Sequence, residues 1–429
     1  MHKHDWIVKN KEEALAKDKS FWGHLSKEAY PITKGELRIP ISIEPFILSK
    51  KENTELEADL AFLLSAAKKI AQAYYTDPRI EEVLAIDKDE RGLILSAKEK
   101  DFTGIVRVDL FYSDTPRIVE INADYPDGFF MHDVTAHAMA NLIPDLNIET
   151  KNHAKIFSDL LTVEGVTKDM YIFIGYDKER AFIDEFQLTK VKLEEQGWKN
   201  ISIGTFEDLE FKGSSFYLND MKIDAIRRGS ELSKIRKIPG LIPRLLEAEK
   251  NGAIIINNFK MRLLGYKSLL AALWDDSFHS YLNKDEVSAI KKLLPPTFKL
   301  DDQKITREML IKEKDTWVIK PIDLTEGSDV FVGQACSEKD WGSALDQVYS
   351  NPKKWIAQHK VVIPEAIFNM IGNGHSTISS QKRKFDCNPH IILYKDKVEM
   401  GVTLVRFSDS QVLNVAKGGG ITYAFPAKD

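Results

Sequence analysis

Apolar residues recur at helical spacing through "NTELEADLAFLLSAAKKIAQAYY", residues 53–75. This predicts an amphipathic helix capped at Asn53 or Thr54, and the first hundred residues read as mainly helical at their core. The pattern then changes to period two. In "RVDLFYSDTPRIVEINADYPDG", residues 107–128, two strand-like runs are joined by a short polar turn. Alternation places Val106, Val108 and Leu110 on one face and Arg107, Asp109 and Phe111 on the other. On the second run Ile118 sides with Glu120 and Asn122, while Val119, Ile121 and Ala123 face away. A symmetric fold-back through Asp114-Thr115 sets Asp109 opposite Glu120 and Arg107 opposite Asn122.

Helices are expected over "HDVTAHAMANLI", after the Gly128 turn, and over roughly 151–162. From about residue 169 the chain alternates differently. "MYIFIGY" is a buried strand, "ERAFIDEFQLTKVKLEEQG" a helix ending at Gly197, and "NISIGTF" a second strand. "FYLNDMKIDAIRRG" adds a hairpin turn at Asn219-Asp220 and a further strand, and "AIIINNF" another. Strand, helix, strand at this spacing predicts a small parallel α/β unit. "KSLLAALWDDSFHSYL" reads as a helix. The stretch 315–429 is rich in strands, and "NMIGNGHSTISSQKRKFD" reads as an exposed loop.

Two carboxylates opposed on one sheet face should repel. A hard divalent cation such as Mg²⁺ takes oxygen ligands, often one or two carboxylates together with nucleotide phosphates. A metal between Asp109 and Glu120 turns repulsion into attraction, and the Asn122 amide oxygen completes the set. Arg107 beside them can hold an anionic group. The plain alternative is a solvated sheet face with an Arg–Asn contact, but three oxygen donors and an arginine on one face favour the metal.

In "WVIKPIDLTEGSDVFVG", Lys320 ends an apolar strand before a loop whose amides at Gly327 and Ser328 can lie over phosphates. A turn glycine is the bland reading. Lys267, at a helix start, suits phosphate or simple solvation. Gln358 and the extended 359–362 segment suit a nucleotide base at a domain edge, or an ordinary strand. Arg406, Asn414 and Gly418-Gly419-Gly420 supply a late arginine and a run permitting close backbone approach. Arg227 and Arg228 end a strand of the α/β unit, where ligand sites of such sheets tend to fall.

Composition changes little. The 429 residues suggest two to three domains, with 43% hydrophobic and 29% charged residues and no low-complexity tract. A net charge of -5 with interspersed signs argues against nucleic acid or anionic membrane as the main partner. No apolar run is long enough to span a bilayer, and the N-terminus is not that of a signal peptide. Cys336 and Cys387, far apart, read as reduced thiols of a cytoplasmic protein.

Together these segments resemble the ATP-grasp superfamily, and specifically its circularly permuted branch that includes glutathionylspermidine synthase. The resemblance covers roughly residues 100–429. The D…E-x-N strands come first and the lysine segments last, as in the permuted branch. R-V-D matches Arg107 and Asp109; E-I-N matches Glu120 and Asn122. "GYKSLLAALW" is similar to the family's N-K-x-x-L-x-x-L-W segment, with Tyr266 in place of asparagine, and implies Lys267 on ATP. The K-P pair implies Lys320 there too, with Gly327 and Ser328 in the lid, Gln358 at the adenine edge and Arg406 near the phosphates.

The resemblance implies an α/β (α+β) fold, ATP-grasp in permuted order, with a small Rossmann-like pre-ATP-grasp domain. The expected division is 1–165 (helices and metal-binding strand pair), 166–250 (α/β domain) and 251–429 (nucleotide-binding part with lid). It implies ATP and Mg²⁺, two ions with Mn²⁺ able to substitute, held by Asp109, Glu120 and Asn122. A small-molecule or peptide carboxylate then forms an acylphosphate that an amine displaces, with Arg107 the candidate to stabilise the transition state. Arg227 and Arg228, from their place at a strand end, suit either the substrate carboxylate or a solvated or structural role. A homodimer is compatible with this. Two rivals stand: a phosphotransferase with no amine step, and a non-catalytic nucleotide-binding module.

Overall fold

A computed structural model describes residues 1–3, 5–27, 39–143, 146–179, 184–323, 329–372, 375–394, 397–410, 413 and 419–428. The helix foreseen over 53–75 spans Lys50–Ala73, one turn earlier than its apolar pattern. Its cap is Ser49, not Asn53 or Thr54. Ser49 Oγ accepts from the Glu52 amide at 3.3 Å, and the Glu52 carboxylate accepts from the Ser49 amide at 2.8 Å. This reciprocal box satisfies two orphan donors, which a cap inside the polar first turn would not do.

The main sheet has eight strands. Its order is His2–Lys3, Phe46–Leu48, Gly420–Pro426, Lys397–Ser408, Ile378–Tyr394, Gly104–Tyr112 and Pro116–Asn122, with Glu365–Ile371 also paired to Ile378–Tyr394. Strands from both ends of the chain thus interleave. Against one face Leu60, Leu63 and Leu64 of the Lys50–Ala73 helix, with Leu269 and Leu273, pack on Val106, Val108 and Leu110. Against the other, Phe129, Phe130 and Phe157 pack on Ile105, Ile392 and Leu404. Each such fully buried side chain contributes about 1.5–3 kcal/mol, so both layers anchor the strand pair firmly.

The stretch 369–386 is not the expected loop. Much of it lies in the strands Glu365–Ile371 and Ile378–Tyr394, paired in antiparallel register with Phe368 opposite Gln381. Its polar residues line a ribbon whose outer end is solvated, so period-two alternation of apolar residues is missing where the pairing is real.

A second sheet is wholly parallel, ordered Ile254–Ile256, Ala225–Arg228, Ile172–Tyr176, Ile201–Thr205. A meander beside it turns at Asn219 and Asp220, whose φ angles of 49° and 62° suit a tight two-residue hairpin. The third sheet runs Thr297–Lys299, Trp355–His359, Trp317–Pro321, Phe331–Val332, all antiparallel. The helix Glu338–Tyr349 covers one of its faces, packing Trp341 and Leu345 on Trp317 and Ile319. The helix expected over 267–282 ends at Trp274, and Asp275 caps a separate 3-10 turn, Asp276–Tyr281. No helix among the described residues is long and apolar enough to cross a membrane. The whole is a mixed α/β structure of several sheets and helices.

Candidate functional site

The register of the strand pair is the one that alternation predicts: Asp109 opposes Glu120 and Arg107 opposes Asn122. Beyond it the register shifts, and Leu110 opposes Ile118. The extra residue is Val119. This bulge returns Ile118 to the apolar face with Val108, Leu110 and Ile121, correcting its expected place beside Glu120.

The opposed carboxylates are reconciled by separate cations. Asp109 accepts from Arg107 Nε at 2.7 Å and Nη2 at 3.1 Å. It also accepts from Arg406 Nη2 at 3.0 Å. Glu120 instead pairs with Lys267, Nζ to Oε1 at 2.9 Å. Burial alone would raise Asp109, but Arg107 and Arg406 hold it down at about 2. Arg406 bridges Asp109 to Asp386, Nη2 to Oδ2 at 2.6 Å. Those two carboxylates push its pKa up against the effect of burial.

Asp386 and Asn388 are the members of this cluster that sequence reading missed. Their signal is the same one that marked Arg107 and Asp109. Polar Asp386, Asn388 and His390 alternate along the Ile378–Tyr394 strand, and His390 pairs in register with Arg107. Burial and the Arg107 charge lower His390 to about 3, so the imidazole adds no charge beside the guanidinium. Arg107 Nη1 has no partner among the described residues.

Lys320 approaches the strand pair from the third sheet. Its Nζ donates to the Gln358 Oε1 at 2.8 Å and to the carbonyl of the bulge residue Val119 at 3.3 Å. Burial, helped by the nearby Lys267 charge, lowers Lys320 to about 8 despite the pull of Glu120. Gln358 is itself buried and donates to Thr297 Oγ1 at 3.0 Å. Lys267 opens its helix, and its amide donates to the Ile322 carbonyl at 2.9 Å, tying the two lysine-bearing elements together. Tyr266, in the position before it, is buried with its hydroxyl on Glu90, where it anchors the helix start.

A cavity of about 30 Å³ adjoins these residues, lined in part by Glu120, Asn122, Lys267 and Asp323. The Asn122 side-chain nitrogen is buried with no hydrogen-bond partner among the described residues. A far larger cleft of about 660 Å³ lies behind the helix Lys267–Trp274, lined by Trp274, Thr297 and Lys299 among others. None of the clustered arginines, lysines or strand-pair carboxylates lines it, so size and chemistry point to different places. The paired charged groups gather at the smaller one.

Arg227 and Arg228 are drawn elsewhere. Arg228 is fully buried, with Nη1 on Asp124 Oδ1 at 2.9 Å and Nη2 on the Asn257 carbonyl at 2.7 Å. Arg227 donates to Thr189 Oγ1 at 2.8 Å and lies 5.0 Å above the Phe157 ring. Both join the parallel sheet to its surroundings, Arg228 through four hydrogen bonds and Arg227 through one among the described residues. Gly327, Ser328, Asn414 and Gly418 fall outside the described residues.

No protein-family model matches the sequence, and no curated protein does. Among solved structures, a putative gamma-glutamylcysteine synthetase from Methylobacillus flagellatus aligns over 82% of this chain and 84% of its own at 14% identity. Its TM-score of 0.41 is too low to establish a common fold. A glutathione synthetase like-effector from Globodera pallida, in its apo form, aligns over 97% of both chains with a TM-score of 0.65 and 11% identity. The chain therefore has the fold of that protein along nearly its whole length.

Proposed function

We propose that this protein is an ATP-dependent, ADP-forming carboxylate–amine ligase of ATP-grasp type, in circularly permuted order. The observation that carries the reading is the convergence of Lys267, from a helix start, and Lys320, from the third sheet, on the 119–120 step of one edge strand. Two ammonium groups brought together at the cost of mutual repulsion call for a polyanion between them, and a triphosphate meets that need. The fold shared with a protein named for glutathione synthetase supports the same class.

The donor chemistry fits a hard cation, with one adjustment. Both oxygens of Asp109 are engaged by arginines, whereas Glu120 pairs with Lys267 and no described side chain holds the Asn122 amide, whose oxygen can therefore turn to a cation. Glu120 and Asn122 are thus the residues that would hold Mg²⁺, and Asp109 becomes the clamp that fixes Arg107 and Arg406. The cation supplies Lewis-acid charge at the phosphate oxygens. Lys267 and Lys320 hold the triphosphate, and the 355–359 strand with Gln358 edges the base. A substrate carboxylate oxygen attacks the γ-phosphorus, ADP leaves, and the acylphosphate is attacked by an amine that expels phosphate and forms the amide. Arg107, held side-on by Asp109 with Nη1 left over, is placed to meet charge developing on the transferred group.

The division near residues 165 and 250, cytoplasmic residence and the small-molecule class of both substrates belong to the same proposal. The test is ADP release across a panel of acids, each with and without amines. Release that requires both acid and amine supports a ligase. Release with acid alone makes the protein a phosphotransferase, and nucleotide binding with no release across the panel favours a non-catalytic module.

A further inference from the structure

A second polar cluster sits between two helices and belongs to none of this chemistry. Asp133 and His137 are four positions apart on the helix Phe129–Leu142 and so share a face. His153 is the first residue of the helix His153–Val163, whose start is fixed by Asn152 accepting from the Lys155 amide at 2.9 Å. The Phe129 ring meets the His153 ring edge-on at 5.8 Å and sets its orientation.

Asp133 Oδ1 lies 3.2 Å from His137 Nε2 and in contact with His153 Nδ1. His137 Nε2 is also 3.0 Å from the Lys151 carbonyl oxygen. The three side-chain donor atoms fall within 4.8 Å of one another. Four-coordinate zinc with bonds of about 2.0–2.2 Å spaces its ligand atoms by about 3.4 Å, close to the 3.2 Å between Asp133 Oδ1 and His137 Nε2. Two imidazoles, a carboxylate and a carbonyl suit a borderline cation better than Mg²⁺.

A purely hydrogen-bonded triad is less well satisfied. It directs both imidazoles at one carboxylate oxygen, Asp133 Oδ1. Asp133 and His153 are buried, and His137, its side chain 39% exposed, gives access from solvent.

We propose that Asp133, His137 and His153 form a site for one zinc-class divalent cation, with the Lys151 carbonyl as fourth ligand. The ion would clip the helix Phe129–Leu142 to the helix His153–Val163. The test is titration of the chelator-stripped full chain with Co²⁺, then Zn²⁺. One equivalent of Co²⁺ should give the visible absorption of a tetrahedral site, Zn²⁺ should displace it, and an excess of Mg²⁺ should not. His137→Ala should abolish the band, and Glu120→Gln should leave it intact. His137→Cys should restore binding and add a sulfur-to-metal charge-transfer band, a signature that a merely structural histidine would not yield. Absence of the band in the wild-type protein overturns the proposal. So does a band that survives His137→Ala, or one that is lost in Glu120→Gln.

Discussion

Arg406 reaches back across 297 residues of sequence to place Nη2 3.0 Å from Asp109 Oδ2. The contact joins two strands that do not pair with each other; both pair with Ile378–Tyr394 between them. Arg406 reaches across the middle strand, where Asp386 and Asn388 also accept from it. The cluster therefore exists only when all three strands are assembled.

Breaking that clamp should be costly. Asp109→Ala leaves Arg406 with Asp386 and Asn388 and Arg107 without its anchor, and loss of one partner of a buried pair typically destabilises by about 3–5 kcal/mol. Urea unfolding of the variant measures it. A loss below about 1 kcal/mol would show that the arginines re-pair or hydrate freely.

The same carboxylate should mark the acid limb of stability. Asp109 sits near 2 in the fold, against about 3.9 in an unfolded chain. A depressed pKa contributes stability that is complete above the unfolded value and is lost as pH falls through the folded one. The stability gap between wild type and Asp109→Asn should hold steady from about pH 7 to pH 5 and close between about pH 4 and pH 2. A gap that does not vary with pH would mean that ionisation of Asp109 is not what the arginines read.

Lys320, lowered to about 8, should make nucleotide affinity pH-dependent. Its folded pKa lies below the unfolded value of about 10.4, so the charged form is disfavoured by the fold and is lost as pH rises through about 8. ATP-analogue affinity should weaken from about pH 7 to about pH 9.5. Lys320→Ala should bind about 10- to 100-fold more weakly at neutral pH and lose that dependence. Calorimetric titration across this range decides it; an unchanged profile in the variant removes Lys320 from the phosphates.

Arg107 separates catalysis from binding. Arg107→Ala should bind Mg-ATP nearly normally yet turn over about 10²–10³ times more slowly, the usual cost of one lost transition-state donor. Arg107→Lys should recover only part, because an ammonium cannot bind Asp109 side-on and still present a second planar donor. Equal losses of affinity and rate would make Arg107 a ground-state ligand instead.

Glu120 and Asn122 should govern metal dependence. Glu120→Gln and Asn122→Ala should each raise the Mg²⁺ concentration that half-saturates ATP binding, with little change in nucleotide binding measured without metal. If only Asp109→Asn has that effect, the metal belongs to Asp109 after all.

The pairing of Asp109 with Glu120 and of Arg107 with Asn122 was legible in period-two alternation, since one register buries Val106, Val108 and Ile121 together. The three-residue turn does not set that register: it pairs Tyr112 with Pro116, and the bulge at Val119 shifts the pairing by one. The parallel unit over 172–228 and the Asn219-Asp220 turn were determined in the same way, because short-range pattern and turn chemistry settle them. What tertiary structure decided is who partners whom. The Val119 bulge, which turns Ile118 inward and offers a carbonyl to Lys320, depends on what packs against the edge strand. Asp109 could not reveal in sequence whether a metal or an arginine would neutralise it, since Arg406 becomes its neighbour only through the intervening Ile378–Tyr394 strand. Arg227 and Arg228 end their strand as its pattern predicts, but that Thr189 takes a hydrogen bond from Arg227, and Asp124 and Asn257 from Arg228, could not be read along the chain. Period and turn chemistry act over a few residues and can be read along the chain. The partner of a buried charge is set by elements far apart in sequence, and only their packing brings it within hydrogen-bond reach.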